Sequence, residues 1–232
     1  MGRNILIVES NNDKYFFQSV IKHLDCDIEI ASPIFLDEDY RAMGGSDSTI
    51  LTNALKDLKA DIQKEDIGRI GIILDIDLHL EAKRIEFINN CLVKVFPAMK
   101  PLDRVNQFIS LNFEDYQIQL ACYFTNVDGK GELETVLKLI KSQDSTYADC
   151  LERWRECLVS NGKKITDKKF DKLWIVNYIR YDTATKDEQK HADRKLTLNY
   201  ALEHKSSIWN LDHPILAELK VFFKLFNNSA LY

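Results

Sequence analysis

Two short apolar runs, each stopped abruptly by carboxylates, constrain this chain more than any other feature. The first is Ile5-Leu6-Ile7-Val8, closed by Glu9-Ser10-Asn11-Asn12-Asp13; the second is Ile70-Gly71-Ile72-Ile73-Leu74, closed by Asp75-Ile76-Asp77. Brief, β-branched, uninterrupted apolar runs are how strands buried on both faces read, and such strands belong to parallel sheets covered by helices. In open sheets of that kind, chemistry collects just beyond the carboxyl ends of the strands. With the two strands as neighbours, Glu9, Asp75 and Asp77 converge. Crowded carboxylates repel one another and sit together mainly around a cation, so the two motifs outline a divalent-metal site.

The remaining pattern supports an α/β sheet followed by helices. Asp13 is expected to open a helix, where it makes a good N-cap, with Tyr15, Phe16, Val20, Ile21 and Leu24 recurring at helical spacing. A short strand over 27–31 and a loop over 33–48 follow, with Gly44-Gly45 and a cap at Ser46 or Asp47. The next helix is expected to reach about Lys64, and Gly68 to break the chain before the strand that delivers Asp75. Helices over 82–95 and 132–141 bracket two strands at 108–112 and 116–125. Beyond Ser142 the pattern turns helical, at 147–159, 168–180, 196–204 and 214–226. The expected division is an α/β core over 1–142 and a helical extension over 143–232 packed on it. The last helix, with Leu216, Leu219, Phe222, Phe223 and Phe226, either caps the sheet or offers a partner surface.

Composition excludes several classes. No run approaches the roughly 18 apolar residues of a membrane span, and charged or polar residues appear by Arg3, Glu9 and Asp13, unlike a secretion signal. Five cysteines without a C-x-x-C pair fit reduced thiols in a cytoplasmic protein. There is no phosphate-binding loop motif, dinucleotide fingerprint or readable nucleophile triad, so ATP hydrolysis by this chain alone is not expected. The net charge of −5 gives no global attraction to nucleic acid, though a local patch can supply the field. Lys163, Lys164, Lys168, Lys169 and Lys172 form the densest basic cluster and are read as a solvated helix face, with nucleic-acid contact as the alternative. His79, two residues past Asp77, would join the site only if the strand continued.

Asp75 and Asp77 are two apart, so an extended strand would project both carboxylates from one face with Ile76 turned into the core. Glu9-x-x-x-Asp13 followed by Asp75-x-Asp77 resembles the TOPRIM domain shared by topoisomerases, bacterial primases, small ribonucleases and overcoming-lysogenization-defect nucleases. Ser10 stands where that family usually has glycine. The resemblance extends toward small bacterial and archaeal TOPRIM-like proteins through Gly44-Gly45, Arg84, Gly131-Glu132-Leu133-Glu134 and Leu211-Asp212-His213-Pro214-Ile215-Leu216.

The resemblance implies a TOPRIM-like, mostly parallel sheet and a metal-dependent nuclease acting on DNA or RNA. Glu9, Asp75 and Asp77 would be catalytic, and Glu9, Asp13, Asp75, Asp77 and Glu134 would hold Mg²⁺ or Mn²⁺. Lys130, in the turn between Gly129 and Gly131, and Arg84 would bind phosphate. Relatives of this branch occur beside or fused to ATPases in phage defence, so an ATPase partner is expected. A homo-oligomer stays open, and no membrane partner is expected. Two alternatives also stay open: a module active only within an ATPase complex, and phosphoryl or nucleotidyl transfer on a small nucleotide.

Overall fold

A computed structural model describes residues 2–34, 47–62 and 64–227. Among these residues five strands form one sheet: β1 (Arg3–Val8), β2 (Glu29–Ile30), β3 (Ile67–Asp75), β4 (Ile109–Phe113) and β5 (Tyr116–Thr125). Their order is β2-β1-β3-β5-β4. All neighbours are parallel except the β4–β5 hairpin. The two runs ended by acids are therefore adjacent central strands, with Val8 opposite Ile73 and Asp75 opposite Thr125.

Alternation along these strands supplies both faces of the sheet. Ile5, Ile7, Ile70, Ile72 and Leu74 point into a core shared with α2 (Asp47–Ile62) and α3 (Glu81–Val95). Leu6, Val8, Ile73, Ala121 and Tyr123 point into the other core, shared with α1 (Asn11–His23) and α4 (Leu133–Leu139). The helices after Ser142 join this second core: α5 (Thr146–Ser160), α6 (Asp167–Asn177), the short α7 (Lys186–Gln189) and α8 (Ala192–Lys195), α9 (Leu198–His204), and α10 (Ala217–Asn227). The chain is thus three layers, helices on both faces of a mostly parallel sheet. The last helix caps the sheet, since Leu219, Phe222, Phe223 and Phe226 are all buried against it.

Several expected boundaries shift. Gly68 lies inside β3 instead of before it, where the chain approaches Gly2 so closely that a Cβ on Gly2 would come within 2.5 Å of Gly68 N. The helix expected over 168–180 starts at Asp167 on a Thr166 cap and ends in a π turn at Tyr178–Asp182. Gly44-Gly45 and Ser46 lie outside the described residues. No helix among the described residues is long and apolar enough to cross a membrane.

Candidate functional site

Ser10 shapes the first motif. It is the N-cap of α1: its Oγ accepts the Asp13 N–H at 3.3 Å, while Asp13 Oδ2 accepts Ser10 N–H at 2.9 Å and Ser10 Oγ–H at 2.6 Å. This reciprocal pair satisfies donors that a helix start leaves open. Asp13 is therefore the third helical residue and not the N-cap expected from the sequence, because the Ser10 hydroxyl starts the helix three residues earlier. Between strand and helix, Glu9 turns toward the neighbouring strand. Its Oε2 accepts the backbone N–H of Asp75 at 3.2 Å, so the ends of β1 and β3 are joined through a carboxylate.

The expected strand geometry of the second motif does not hold. β3 ends at Asp75, and Asp77 adopts φ +54, a left-handed conformation that Asp tolerates better than most residues. Ile76 N–H still bonds to Thr125 O, and Asp77 then exchanges two backbone hydrogen bonds with Gly131, each 2.9 Å. Ile76 does enter the core, but Asp75 and Asp77 do not share one pleated face. His79, on the exposed stretch that follows, lies beyond the strand end.

Asp75 and Thr125 extend toward the face occupied by α1, α4 and α6. The negative charges of Asp13, Glu9, Glu134 and Glu132 all act on Asp75, and its acidity falls well below that of an ordinary carboxyl, first through burial and then through this repulsion. Asp13 is pushed up to about 7, chiefly by burial and further by Glu9 and Glu134, against the lowering effect of its Ser10 bond. Glu132 is raised by burial and by Glu134, with Lys168 and Lys172 opposing. The acids expected from the sequence are thus brought together, with Glu132 added and Asp77 at the margin.

Cations frame the cluster. Arg84 is buried, and its guanidinium donates through Nε and Nη2 to the Asp75 carbonyl, the Nε bond being 2.9 Å. Its Nη2 lies 3.8 Å from Glu9 Oε2 and 3.8 Å from Asp77 Oδ2. Lys168, from α6, lies 3.0 Å from Asp77 Oδ1 and 2.6 Å from Glu132 Oε2. Burial pulls the Lys168 ammonium down, but its bonds to Glu132 and Asp77 outweigh that and hold it above its ordinary value. Lys172 stands 3.7 Å from Glu134. The basic cluster read as a solvated face therefore divides, with Lys168 and Lys172 turned to the acids and Lys163, Lys164 and Lys169 exposed. Lys130 is exposed on a turn whose backbone pairs Val127 with Lys130.

Three buried side-chain oxygens at this end of the sheet have no hydrogen-bond partner among the described residues: Asp75 Oδ1, Thr125 Oγ1 and Glu132 Oε1. Such atoms are costly without a ligand or water. Among the described residues, no three His, Cys, Asp or Glu side chains stand together as a complete metal-holding group. Two carboxylates with a hydroxyl, the rest of the shell being water, still match what Mg²⁺ accepts. Neither the curated proteins nor the solved structures contain a match to this chain. A family model described as a protein of unknown function, DUF3226, spans residues 3–228, and the chain belongs to that family.

Proposed function

We propose that this chain is a metal-dependent phosphodiester-cleaving protein of TOPRIM type, acting on DNA or RNA. One observation carries the reading: acids from two other segments, Glu9 and Asp13 on one and Glu132 and Glu134 on the other, crowd Asp75 at the carboxyl ends of adjacent parallel strands, and the Asp75 Oδ1 is buried with no partner among the described residues. A Mg²⁺ or Mn²⁺ ion held there would polarise a phosphate and lower the pKa of a bound water. Asp75 would hold the ion with Asp13, Asp77 and Glu134 around it. Glu9 would act as proton acceptor or ligand. Arg84 would position the strand end by gripping the Asp75 carbonyl, and Lys130 would meet a phosphate from its exposed turn. Exposed Lys163 and Lys164, which lead to Lys168, and Lys169, which follows it, would give a nucleic-acid backbone a cationic approach.

The test is cleavage of plasmid DNA and total RNA by the purified chain with Mn²⁺. Loss of cleavage in Asp75→Asn and Glu9→Gln supports the reading; wild type and both variants behaving alike removes it.

A second reading, a module that acts only with an ATPase partner, draws on a different observation. Asp77, Glu132 and Glu134 are already engaged by lysines, and the rim beside Asp77 exposes Leu78 at 89% and Leu80 at 75%. Stable co-purification with the product of a neighbouring ATPase gene, with cleavage appearing only in the complex, would favour it.

A further inference from the structure

The orphaned oxygens and the lysine clamp occupy different halves of the same cluster. Asp75 and Thr125 are paired across β3 and β5, so their side chains leave the sheet side by side on one face. Both present an oxygen that is closed off and unpartnered. Glu132, which is only 3% exposed, divides its carboxylate: Oε1 is buried without a partner, while Oε2 accepts from Lys168 at 2.6 Å. On the far side of that ammonium lies Asp77 Oδ1, at 3.0 Å.

A divalent ion needs oxygens with lone pairs to spare, and the buried oxygens of this cluster with no partner among the described residues are on Asp75, Thr125 and Glu132. The Asp77 side already has its cation, tethered from the helical extension. Resting on the metal-dependent reading above, we propose that this centre takes a single divalent ion, seated on Asp75 Oδ1 with Thr125 Oγ1 and Glu132 Oε1, and that Lys168 occupies the place of a second ion. The lysine bridges Asp77 to Glu132 and neutralises both. It carries no exchangeable water, so it fixes charge without generating a nucleophile. Two ions a few ångströms apart would require this ammonium to leave, because it is bonded to the oxygens the second ion would need. Thr125 and Glu132 thereby become ligands, and Asp77 a partner of Lys168.

Manganese titration of the whole chain by calorimetry, with bound ions counted by electron paramagnetic resonance, tests this without any turnover. Wild type is expected to take one Mn²⁺ per chain. Thr125→Val, nearly the same shape without the hydroxyl, is expected to keep one ion at affinity reduced several-fold. Lys168→Met, at a side chain 45% exposed, is expected to fold normally by thermal unfolding and to take two ions, Asp77 and Glu132 having been released. Two ions in wild type, one in Lys168→Met, or unchanged affinity in Thr125→Val overturns the single-ion arrangement while leaving the metal reading intact. No uptake by wild type, or uptake indifferent to Asp75→Asn, removes the metal reading itself and this arrangement with it.

Discussion

Glu9 Oε2 accepts the backbone N–H of Asp75 at 3.2 Å, so one carboxylate both joins two strand ends and belongs to the acidic cluster. The two roles are separable by substitution. A glutamine at position 9 keeps an acceptor oxygen for that N–H but loses the charge. Glu9→Gln is expected to unfold within a degree or two of wild type while losing Mn²⁺-dependent cleavage. Glu9→Ala leaves the N–H without this acceptor, which costs about 1–3 kcal/mol. Thermal unfolding of both variants beside their cleavage rates decides it, and equal destabilisation by Gln and Ala would show that the hydrogen bond contributes nothing.

The buried acids make stability depend on pH in an unusual direction. Asp13 is raised from an ordinary 3.8 to about 7, led by burial, so the folded chain holds this proton more tightly than the unfolded one. Stability is then greatest below about pH 4 on account of this group, and falls as pH rises toward 7. Asp75 moves in the same direction. In metal-free buffer Tm is expected to drop between pH 5 and pH 8. Asp13→Asn should flatten that decline, because the amide oxygen keeps the Ser10 bond without the charge. Mn²⁺ should restore Tm more at pH 8 than at pH 5. A wild-type Tm that rises with pH across this window would contradict the burial of these charges.

Arg84 grips a carbonyl where the two acidic strands end. Its guanidinium reaches the Asp75 carbonyl through two nitrogens and stands 3.8 Å from carboxylates on either side. Lysine has no fork to reproduce that geometry. Arg84→Lys is expected to cost about 1–3 kcal/mol in urea unfolding, as expected for loss of a charge-assisted hydrogen bond at a buried site. An unchanged midpoint would mean that the carbonyl finds another donor.

What could be read from the residues follows from which interactions are local. β1, β3 and β5 are buried on both faces, so each leaves a contiguous apolar run, and the acids closing two of these runs had to meet at one end of the sheet. Alternation misplaces Asp77 because it assumes an extended backbone, and nothing in Asp75-Ile76-Asp77 announces φ +54. That turn is set by pairing with Gly131, a contact 54 residues away in sequence terms. Lys168 meets Asp77 across 91 residues, from a helix whose pattern shows only charge on one side. Glu132 is absent from the acids expected from the sequence, and its place as the residue immediately before α4 is the one local signal for it.

Gly71 ties the helical extension to the strand that carries Asp75. A Cβ built on Gly71 would come within 2.8 Å of Leu6 Cδ1, 2.9 Å of Phe226 Cζ and 3.1 Å of Phe222 Cζ. Leu6 lies on the neighbouring strand and cannot yield far, and both phenylalanines are buried on α10. Any side chain here therefore pushes the last helix away from the sheet. Overpacking of this kind costs about 1–3 kcal/mol, and Gly71→Val should sit at the upper end with Gly71→Ala below it. Because α10 lies over β3 and β5, displacing it also loosens the core against which α6 is packed, and α6 carries Lys168. Hydrogen exchange in Gly71→Ala is thus expected to rise first in α10, ahead of the α2–α3 side of the sheet. Uniform exchange on both faces would mean that the two cores open together and that α10 is no independent clamp.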